Sequence, residues 1–240
     1  MSAEEAIWHD VECGGYEVDI SVWIDLGSRH GGPVLDVGAG TGRVAIPLAR
    51  GGMDVTALDV DPSLLSVLRE RSEEDGLSVK TVCADARSWR APSGFSLVIV
   101  PMQTIQLFGG SEGRRRFLSA ASENLLSGGL VAVAVADMTP GDATVPASFP
   151  PDVVSVGESV YASRPVCVSR AGSTMVIERE RVRTVGGSEA GRSSYLLEID
   201  DVDASEVERD ARTVGLERAG RLSIPADGPY LGAEVVLLGG

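Results

Sequence analysis

The chain has 240 residues, of which 43% are hydrophobic and 23% are charged. This length suits one α/β domain with a sizeable core, and the composition excludes a disordered or fibrous protein. The net charge of −14 would repel phosphate backbones and anionic lipid surfaces, so we expect neither nucleic acid nor a membrane as a partner.

Targeting signals and cysteine usage narrow the class further. The longest apolar run, residues 130–136, is too short to cross a bilayer, and the N-terminus is acidic where a secretory signal would be basic and then apolar. We therefore expect a cytoplasmic protein. The three cysteines lie far apart without CxxC or His-rich spacing, which predicts neither a disulfide framework nor a metal site.

The first predicted element is a helical leader ahead of the sheet, residues 1–32. Apolar residues of the segment 16–28 recur on one helical face, which predicts an amphipathic helix. The preceding segment 8–15 carries Trp8 and His9 and ends in a Gly-Gly pair that can act as a hinge. Two roles stay open for the leader: a lid over a bound ligand, or a helix that plugs the bottom of the sheet.

Residues 34–43, VLDVGAGTGR, are the centre of the predicted fold. A short run with strand character leads into Gly38, Gly40 and Gly42 and then into a helical apolar pattern. Glycines are needed where the backbone takes a positive φ or comes close to a ligand, and the amides that begin the following helix can bind a polar group. We expect a small molecule to lie across this turn.

Spacing separates this turn from the dinucleotide-binding fingerprint, because Arg43 stands where that fingerprint has its third glycine. An acidic Asp36 followed by glycines at alternate positions resembles motif I of the class I S-adenosylmethionine-dependent methyltransferases. The resemblance implies S-adenosylmethionine as the cofactor; a purely structural turn can carry the same glycines. The motif residues implied to contact the cofactor are Asp36, Gly38, Ala39, Gly40, Gly42 and Arg43.

The second strand is predicted over residues 53–58 and leads into Asp59. In a doubly wound fold, an acid at this strand end can accept hydrogen bonds from both ribose hydroxyls, so Asp59 and its neighbour Val60 are predicted cofactor contacts. Asp61 is predicted to cap a helix over residues 63–74, because the proline that follows it suits the first helical position.

The third and fourth strands are predicted over residues 77–83 and Phe95–Val100. After the third strand come Asp85 and Ala86, at a position where the family resemblance implies a hydrogen bond to the adenine amine; a solvated turn aspartate is the alternative. The fourth strand is apolar almost throughout, as expected of a central parallel strand covered on both faces.

The turn after the fourth strand is where, in the family that this chain resembles, the methyl group meets its acceptor. Its sequence is neither the N/D-P-P-Y/F type nor a metal-binding run, and it resembles the mixed apolar and amide turn of small-metabolite methyltransferases. The resemblance places Pro101 and Gln106 with the cofactor, and Met102 and Gln103 with the acceptor. The alternative for the two glutamines is to cap the following helix.

That helix is predicted over residues 112–126, ended by Gly128 and Gly129 and followed by a fifth strand over residues 130–136. The helix end and the strand resemble those of class I methyltransferases. The three arginines 114–116 are expected on its solvated face, with an acidic partner as the alternative.

Beyond Asp137 the pattern changes to that of antiparallel strands. Runs of period two follow a complete set of cofactor motifs, so we expect this addition, residues 138–200, to cover the acceptor site or to form a homodimer interface. Asp137 and Tyr161 are the candidate acceptor contacts, and Tyr195 is a second aromatic residue able to line a pocket. The predicted runs are 153–162, 166–169, 174–185 and 192–199.

The C-terminal part, residues 201–240, is regular again. A helix is predicted over residues 204–214 and two strands over residues 216–224 and 233–238, the antiparallel pair that closes the sheet in this family. The implied fold is α/β and Rossmann-like: a mostly parallel, seven-stranded twisted sheet with helices on both faces, plus antiparallel strands added after the fifth strand. Residues 33–137 would then be the cofactor-binding core.

The function implied by the resemblance is methyl transfer to a nitrogen or oxygen atom of a small metabolite such as a natural-product intermediate. Alignment and exclusion of water can supply most of the catalysis, so an amine acceptor needs no base. A hydroxyl acceptor must lose a proton, and the catalytic candidates are His9 and Tyr16. The alternative is a protein that binds the cofactor without methylating, in sensing, structural support or cyclisation.

Overall fold

A computed structural model describes residues 3–136, 145–146, 150–227 and 230–240. None of the helices in these ranges is long and apolar enough to cross a membrane. The helices are α1 (Ala3–Cys13), α2 (Ile20–His30), α3 (Ala45–Arg50), α4 (Pro62–Glu74), α5 (Gly110–Glu123) and α6 (Ala204–Arg212), with a short 3₁₀ helix over Thr104–Leu107. The strands are β1 (Val34–Val37), β2 (Val55–Asp59), β3 (Val79–Cys83), β4 (Phe95–Val100), β5 (Leu125–Ala136), β6 (Val145–Pro146), β7 (Asp152–Val156), β8 (Ser159–Ala171), β9 (Thr174–Val185), β10 (Ser188–Asp200), β11 (Glu217–Ile224) and β12 (Ala233–Gly239).

The first sheet has seven strands in the order β11-β12-β5-β4-β1-β2-β3. The strands β1 to β5 pair in parallel, and β12 runs antiparallel to both β5 and β11. Parallel neighbours need crossover connections, which place helices on both faces of the sheet. The predicted Rossmann-like fold is confirmed, including the closing strand pair and the antiparallel strands added after β5.

Two apolar layers enclose this sheet, because alternate residues of each strand point to opposite faces. On one face Leu35 packs in a layer with Phe117 of α5 and Val207 of α6. On the other face Val34 packs in a layer with Leu65 of α4. The layers hold the carboxyl ends of β1, β2 and β4 together at one edge, where ligands of open α/β sheets bind.

The second sheet is antiparallel, in the order β10-β9-β8, and both β6 and β7 pair with β8. Helix α1 packs on this sheet: the ring of Trp8 lies 5.0 Å from that of Tyr161, and the Ser163 hydroxyl donates to Glu12 Oε1 at 2.7 Å. On its other side α1 is joined to the core, since Asp10 forms an ion pair with Arg71 of α4. The leader helix therefore contacts both sheets.

Two helix starts show the capping chemistry that their sequences provide. Asp61 accepts hydrogen bonds from the amide of Ser63 at 2.8 Å and from its hydroxyl at 2.6 Å, which confirms the predicted cap of α4. At α6, Asp203 accepts from the amide of Glu206, and the Glu206 carboxylate accepts from the amide of Asp203.

Several predicted helix boundaries were wrong by two to four residues, and two of these errors have identifiable reasons. The helix predicted from residue 16 begins at Ile20, because the carbonyl of Tyr16 accepts a hydrogen bond from Arg43 at 2.6 Å and is not used in a helical turn. The helix predicted to end at residue 126 ends at Glu123, because the carbonyl of Asn124 accepts from the amide of Phe95 at 2.8 Å. Gly128 and Gly129 are therefore part of β5 and cap no helix.

The strand runs of the second sheet were also partly wrong. The run predicted over 153–162 is a hairpin of β7 and β8, because Gly157 takes a φ of 58° and the chain reverses there. The separate run predicted over 166–169 belongs to the same continuous strand β8. The run predicted over 174–185 is confirmed as β9.

Candidate functional site

A cavity of about 410 Å³ lies at the carboxyl ends of β1, β2 and β4. This volume falls in the range of ligand-binding pockets, about 300–1,000 Å³. Its wall is built from the turns after the core strands, from α1 and from the inner face of the second sheet. The residues from the core are Asp36, Val37, Gly38, Ala39, Arg43, Val44, Leu58, Asp59, Val60, Leu64, Ala84, Asp85, Ala86, Arg87, Pro101, Met102, Gln103, Thr104, Leu107 and Phe108.

The glycine turn brings the backbone close to neighbouring groups. Gly38 and Gly40 take φ values of 71° and 54°, which favour glycine. A Cβ atom on Gly38 would lie 2.6 Å from Thr104 Cγ2, and one on Gly40 would lie 2.5 Å from His9 Cε1. The third glycine, Gly42, faces the core beside Leu68 and serves packing of the helices.

Asp59 ends β2 with its carboxylate held by two backbone amides. Oδ2 accepts from Gly40 N at 2.8 Å, and Oδ1 accepts from Asp61 N at 2.9 Å. These bonds fix the direction of the carboxylate while each oxygen keeps a further lone pair for a ligand. Beside it, the apolar side chain of Val60 is 67% exposed and offers a surface for a flat apolar group.

Asp36 is the most unusual titratable group in this cavity. It is 1% exposed, and neither carboxylate oxygen has a hydrogen-bond partner among the described residues. Burial raises the pKa of Asp36 to about 7, against the opposing effect of the Arg43 guanidinium. An ammonium group brought by a ligand would supply the missing partner, so Asp36, Asp59 and the glycine turn together fit an amino acid joined to a nucleoside.

The raised pKa predicts how Asp36→Asn changes stability with pH. The folded protein holds the Asp36 proton more tightly than the unfolded chain, whose aspartate has its ordinary pKa of 3.8. The stabilising effect of protonation is complete below pH 4 and is lost as the pH rises through about 7. Relative to Asp36→Asn, the wild type should lose about 1.4 kcal/mol of unfolding free energy per pH unit in this window. Urea titrations of both proteins from pH 4 to 8 measure the difference; a constant difference would contradict it.

His9 lies on α1 directly over the glycine turn. Burial lowers the pKa of its imidazole, although Asp10 and Asp59 act in the opposite direction. The ring is therefore neutral at pH 7, and its Nδ1 lies 3.5 Å from Thr41 Oγ1. The same hydroxyl donates to Asp10 at 2.6 Å, so two successive residues of α1 are fixed to the turn.

This contact predicts a non-additive effect of Gly40→Ala. The new methyl group would overlap with the His9 ring, and alanine at a φ of 54° carries left-handed strain of about 1–2 kcal/mol. In a His9→Ala background the steric part disappears and the strain remains. Thermal or urea unfolding of the four proteins of this double-mutant cycle should show a coupling above about 0.5 kcal/mol, whereas strict additivity would show that the two residues do not touch.

Several residues predicted to bind the cofactor are engaged within the protein. The Arg43 guanidinium is paired with Asp19 at 2.5 and 2.8 Å and lies over the Tyr16 ring, whose residue is 4% exposed. Asp85 accepts hydrogen bonds from Arg87, which lowers the pKa of its carboxyl. The catalytic role of Tyr16 and the cofactor roles of Arg43 and Asp85 stay predictions that these contacts do not support.

The residues predicted in the turn after β4 and in the second sheet also divide into those that line the cavity and those that are engaged within the protein. Met102 and Gln103 line the cavity, and Met102 is held at a positive φ of 53°. Gln106, a predicted cofactor contact, is buried and does not line the cavity; its side chain donates to the Asp200 carbonyl at 3.1 Å and accepts from the Ala136 amide at 3.0 Å. Tyr161 is buried under Trp8 outside the cavity wall, and the predicted contact Asp137 lies outside the described residues.

Sequence reasoning missed the contribution of charged residues from α1 and β9. Arg181 donates to both oxygens of Glu12, at 2.7 and 2.8 Å, and to Glu5 at 3.3 Å. Its guanidinium also lies 3.9 Å from the centre of the Tyr195 ring. The sequence feature that indicates this contribution is the repeat of arginines at alternate positions of β9, which places them on one face opposite the acidic α1. The cavity residues from α1 and the second sheet are Glu5, His9, Glu12, Cys13, Arg181, Tyr195 and Leu197.

A second, more open groove of about 590 Å³ runs between α1, α2 and α3 on the far side of the glycine turn. Its arginines are already paired, Arg71 with Asp10, Arg50 with Asp75 and Arg43 with Asp19. Because it lies away from the carboxyl ends of the strands, the cavity over β1, β2 and β4 is the better candidate site.

Residues 34–129 match the model of a protein family that is described as a methyltransferase domain. This segment contains the glycine turn, Asp59 and the strands whose ends form the cavity. This match is consistent with the class I methyltransferase family.

Solved structures of methyltransferases share the fold over nearly the whole chain. DesVI from Streptomyces venezuelae is 20% identical with a TM-score of 0.76, and 98% of each chain is covered. The sugar N-methyltransferase KedS8 from Streptoalloteichus is 15% identical with a TM-score of 0.75, covering 97% of this chain and 92% of its own. At these identities the likeness shows the fold, including the antiparallel sheet that the family segment does not cover.

Curated relatives match only a short part of this chain. A ubiquinone biosynthesis O-methyltransferase from Methylocella silvestris is 48% identical over 46 residues, which are 19% of this chain and 18% of the relative. The chain spans roughly a fifth of the length of the curated relatives that it matches.

Proposed function

We propose that this methyltransferase binds S-adenosylmethionine in the cavity over β1, β2 and β4 and methylates a nitrogen or oxygen atom of a small metabolite in the cytoplasm. The observation that carries this proposal is the pair of carboxylates beside the glycine turn: a buried Asp36 without a hydrogen-bond partner among the described residues, and an Asp59 carboxylate whose direction is fixed by two backbone amides. These groups match the ammonium and the ribose hydroxyls of that cofactor.

The residues of the chain would act by holding the cofactor and the acceptor in position for the reaction. When bound, S-adenosylmethionine supplies a methyl group activated on a sulfonium sulfur. Asp36 and Asp59 would hold its two ends, while His9 and the rest of α1 keep water from the glycine turn. Met102 and Gln103, at the end of β4, would lie beside the acceptor. Because His9 is neutral, it can accept a proton from a hydroxyl acceptor, whereas a neutral amine requires no such step.

The second sheet would complete the acceptor side of the site. Arg181 and Tyr195 from β9 and β10 reach the cavity, and the pairs between Arg181 and α1 hold the leader as a lid. This arrangement supports residues 1–32 as the lid and residues 138–200 as the acceptor cover. Sugar N-methyltransferases and an O-methyltransferase among the proteins similar to this chain are consistent with either reacting atom.

Binding and product measurements test the proposal separately. S-adenosylhomocysteine at one hundred times its dissociation constant should stabilise the protein by about 2.7 kcal/mol, because it binds only the folded state. Incubation of the protein with methyl-labelled S-adenosylmethionine and a library of amines, phenols and sugars should release S-adenosylhomocysteine and one compound that carries the label. Stabilisation without any labelled product would favour a protein that binds the cofactor but does not methylate, and absence of stabilisation would contradict the proposal.

A further inference from the structure

The wall of the cavity carries more acidic than basic groups. Its carboxylates are those of Glu5, Glu12, Asp36, Asp59 and Asp85, and its cations are three arginines. The residues outside the described ranges add no arginine or lysine to the chain, and they include two further aspartates. The site as a whole is therefore suited to positive charge.

Each arginine in the wall is already bound to a carboxylate. Arg87 is bound to Asp85, and Arg43 to Asp19 from outside the cavity. Arg181 is bound to both oxygens of Glu12 and to Glu5. Among the described residues, every guanidinium in this cavity already has a carboxylate as its counterion, so none is left unpaired to bind a phosphate group.

The excess negative charge lies on the acceptor side, where Glu5 and Glu12 line the cavity with one arginine, Arg181. A second arginine, Arg179, lies 3.5 Å from Glu12 outside the cavity wall, and it is paired with Asp152 at 2.8 Å. The Glu12 carboxylate is used by Arg181 and by the Ser163 hydroxyl. Glu5 makes one contact of 3.3 Å to Arg181, and its side chain is 38% exposed. It therefore keeps lone pairs for a ligand and also has access to water.

This charge distribution suits methylation of an amine. An amine that enters protonated first loses its proton to water. Its nitrogen lone pair then forms the new N–CH₃ bond, and the sulfur keeps the electron pair of the broken S–CH₃ bond. The positive charge thus moves from sulfur to nitrogen, toward the acceptor side. A carboxylate there stabilises this transfer, because it interacts more strongly with the products of the step than with its reactants.

We propose that the acceptor is a basic amine without a phosphate group, methylated on nitrogen, and that Glu5 is the carboxylate that binds it. This inference rests on the proposed function and names its class of substrate. It predicts that the acceptor side of the cavity discriminates by charge alone, whatever the remaining structure of the acceptor.

Two bisubstrate analogues test the inference without knowledge of the acceptor. In both, the sulfur of S-adenosylhomocysteine is replaced by a nitrogen that carries a two-carbon arm, which ends in a primary amine in one and in a phosphate in the other. Calorimetry with the full chain should show at least tenfold tighter binding of the amine analogue. Glu5→Gln should reduce this preference at least threefold. The matched control Glu4→Gln removes the same charge one residue away, outside the cavity wall, and should leave the preference within twofold of the wild type.

The outcomes separate this inference from the function on which it rests. Equal or tighter binding of the phosphate analogue would overturn it, as would binding of S-adenosylhomocysteine but of neither analogue. An amine preference that Glu5→Gln leaves unchanged would overturn the role of Glu5. If Glu5→Gln does not fold, the preference of the wild type decides the substrate class. Failure of S-adenosylhomocysteine itself to bind would contradict the proposed function instead.

Discussion

Asp19→Ala should lower the free energy of unfolding by about 3–5 kcal/mol, the largest single effect that we expect in this chain. Asp19 is fully buried, and its carboxylate accepts from Arg43 at 2.5 and 2.8 Å and from the indole of Trp23 at 2.8 Å. Alanine would leave the Arg43 guanidinium, whose side chain is 11% exposed, without its counterion. Urea denaturation at pH 7 measures the loss.

Two further variants identify the cause of this loss. In the double variant Asp19→Asn and Arg43→Met, no buried charge remains and the new amide oxygen can still accept from the Trp23 indole, so most of the lost stability should return. Asp25→Ala removes an aspartate from the same helix whose pair with Arg29 is exposed, and it should cost about 0.5 kcal/mol or less. If the double variant is as unstable as Asp19→Ala, the effect does not come from the uncompensated charge.

Asp59→Ala should weaken the binding of S-adenosylmethionine by roughly 1–3 kcal/mol, which is about a 5- to 150-fold higher dissociation constant. The variant loses the acceptor of the ribose hydroxyls and also the anchor of the Gly40 amide, so the glycine turn is less well ordered. Isothermal titration calorimetry with S-adenosylhomocysteine measures the change without turnover.

Asp61→Ala is the matched control for this prediction. It lies two residues further on and caps α4, so it should cost about 1 kcal/mol of stability and leave the dissociation constant within about threefold of the wild type. An Asp59→Ala protein with unchanged affinity and greatly reduced stability would mean that Asp59 serves the turn alone.

Much of the fold could be predicted because local patterns and global topology agree. The strand Phe95–Val100 is apolar almost throughout and is the central strand β4. Asp61 followed by proline begins α4 as predicted. These two errors in the helix boundaries came from long-range contacts that no local pattern contains. The Arg43 guanidinium donates a hydrogen bond to the Tyr16 carbonyl, and the Phe95 amide donates one to the carbonyl of Asn124.

The site was predictable where it follows strand ends and was not where it depends on packing between sheets. Gly38 and Asp59 were placed by their positions after β1 and β2, and both line the cavity. Glu5 and Arg181 are 176 residues apart in sequence and meet only because α1 lies against the second sheet. A pattern within one segment cannot show which charged residues of another segment form ion pairs with its own charged residues.

A crystal structure with S-adenosylhomocysteine tests the central claim most directly, namely that the cavity over β1, β2 and β4 is a cofactor site closed by α1 and the second sheet. The account predicts the ribose hydroxyls on the Asp59 carboxylate, the ammonium at Asp36, and the sulfur directed toward Met102 and the acceptor side. A ligand bound instead in the groove between α1 and α3, or one that leaves Asp36 and Asp59 without contacts, would contradict it.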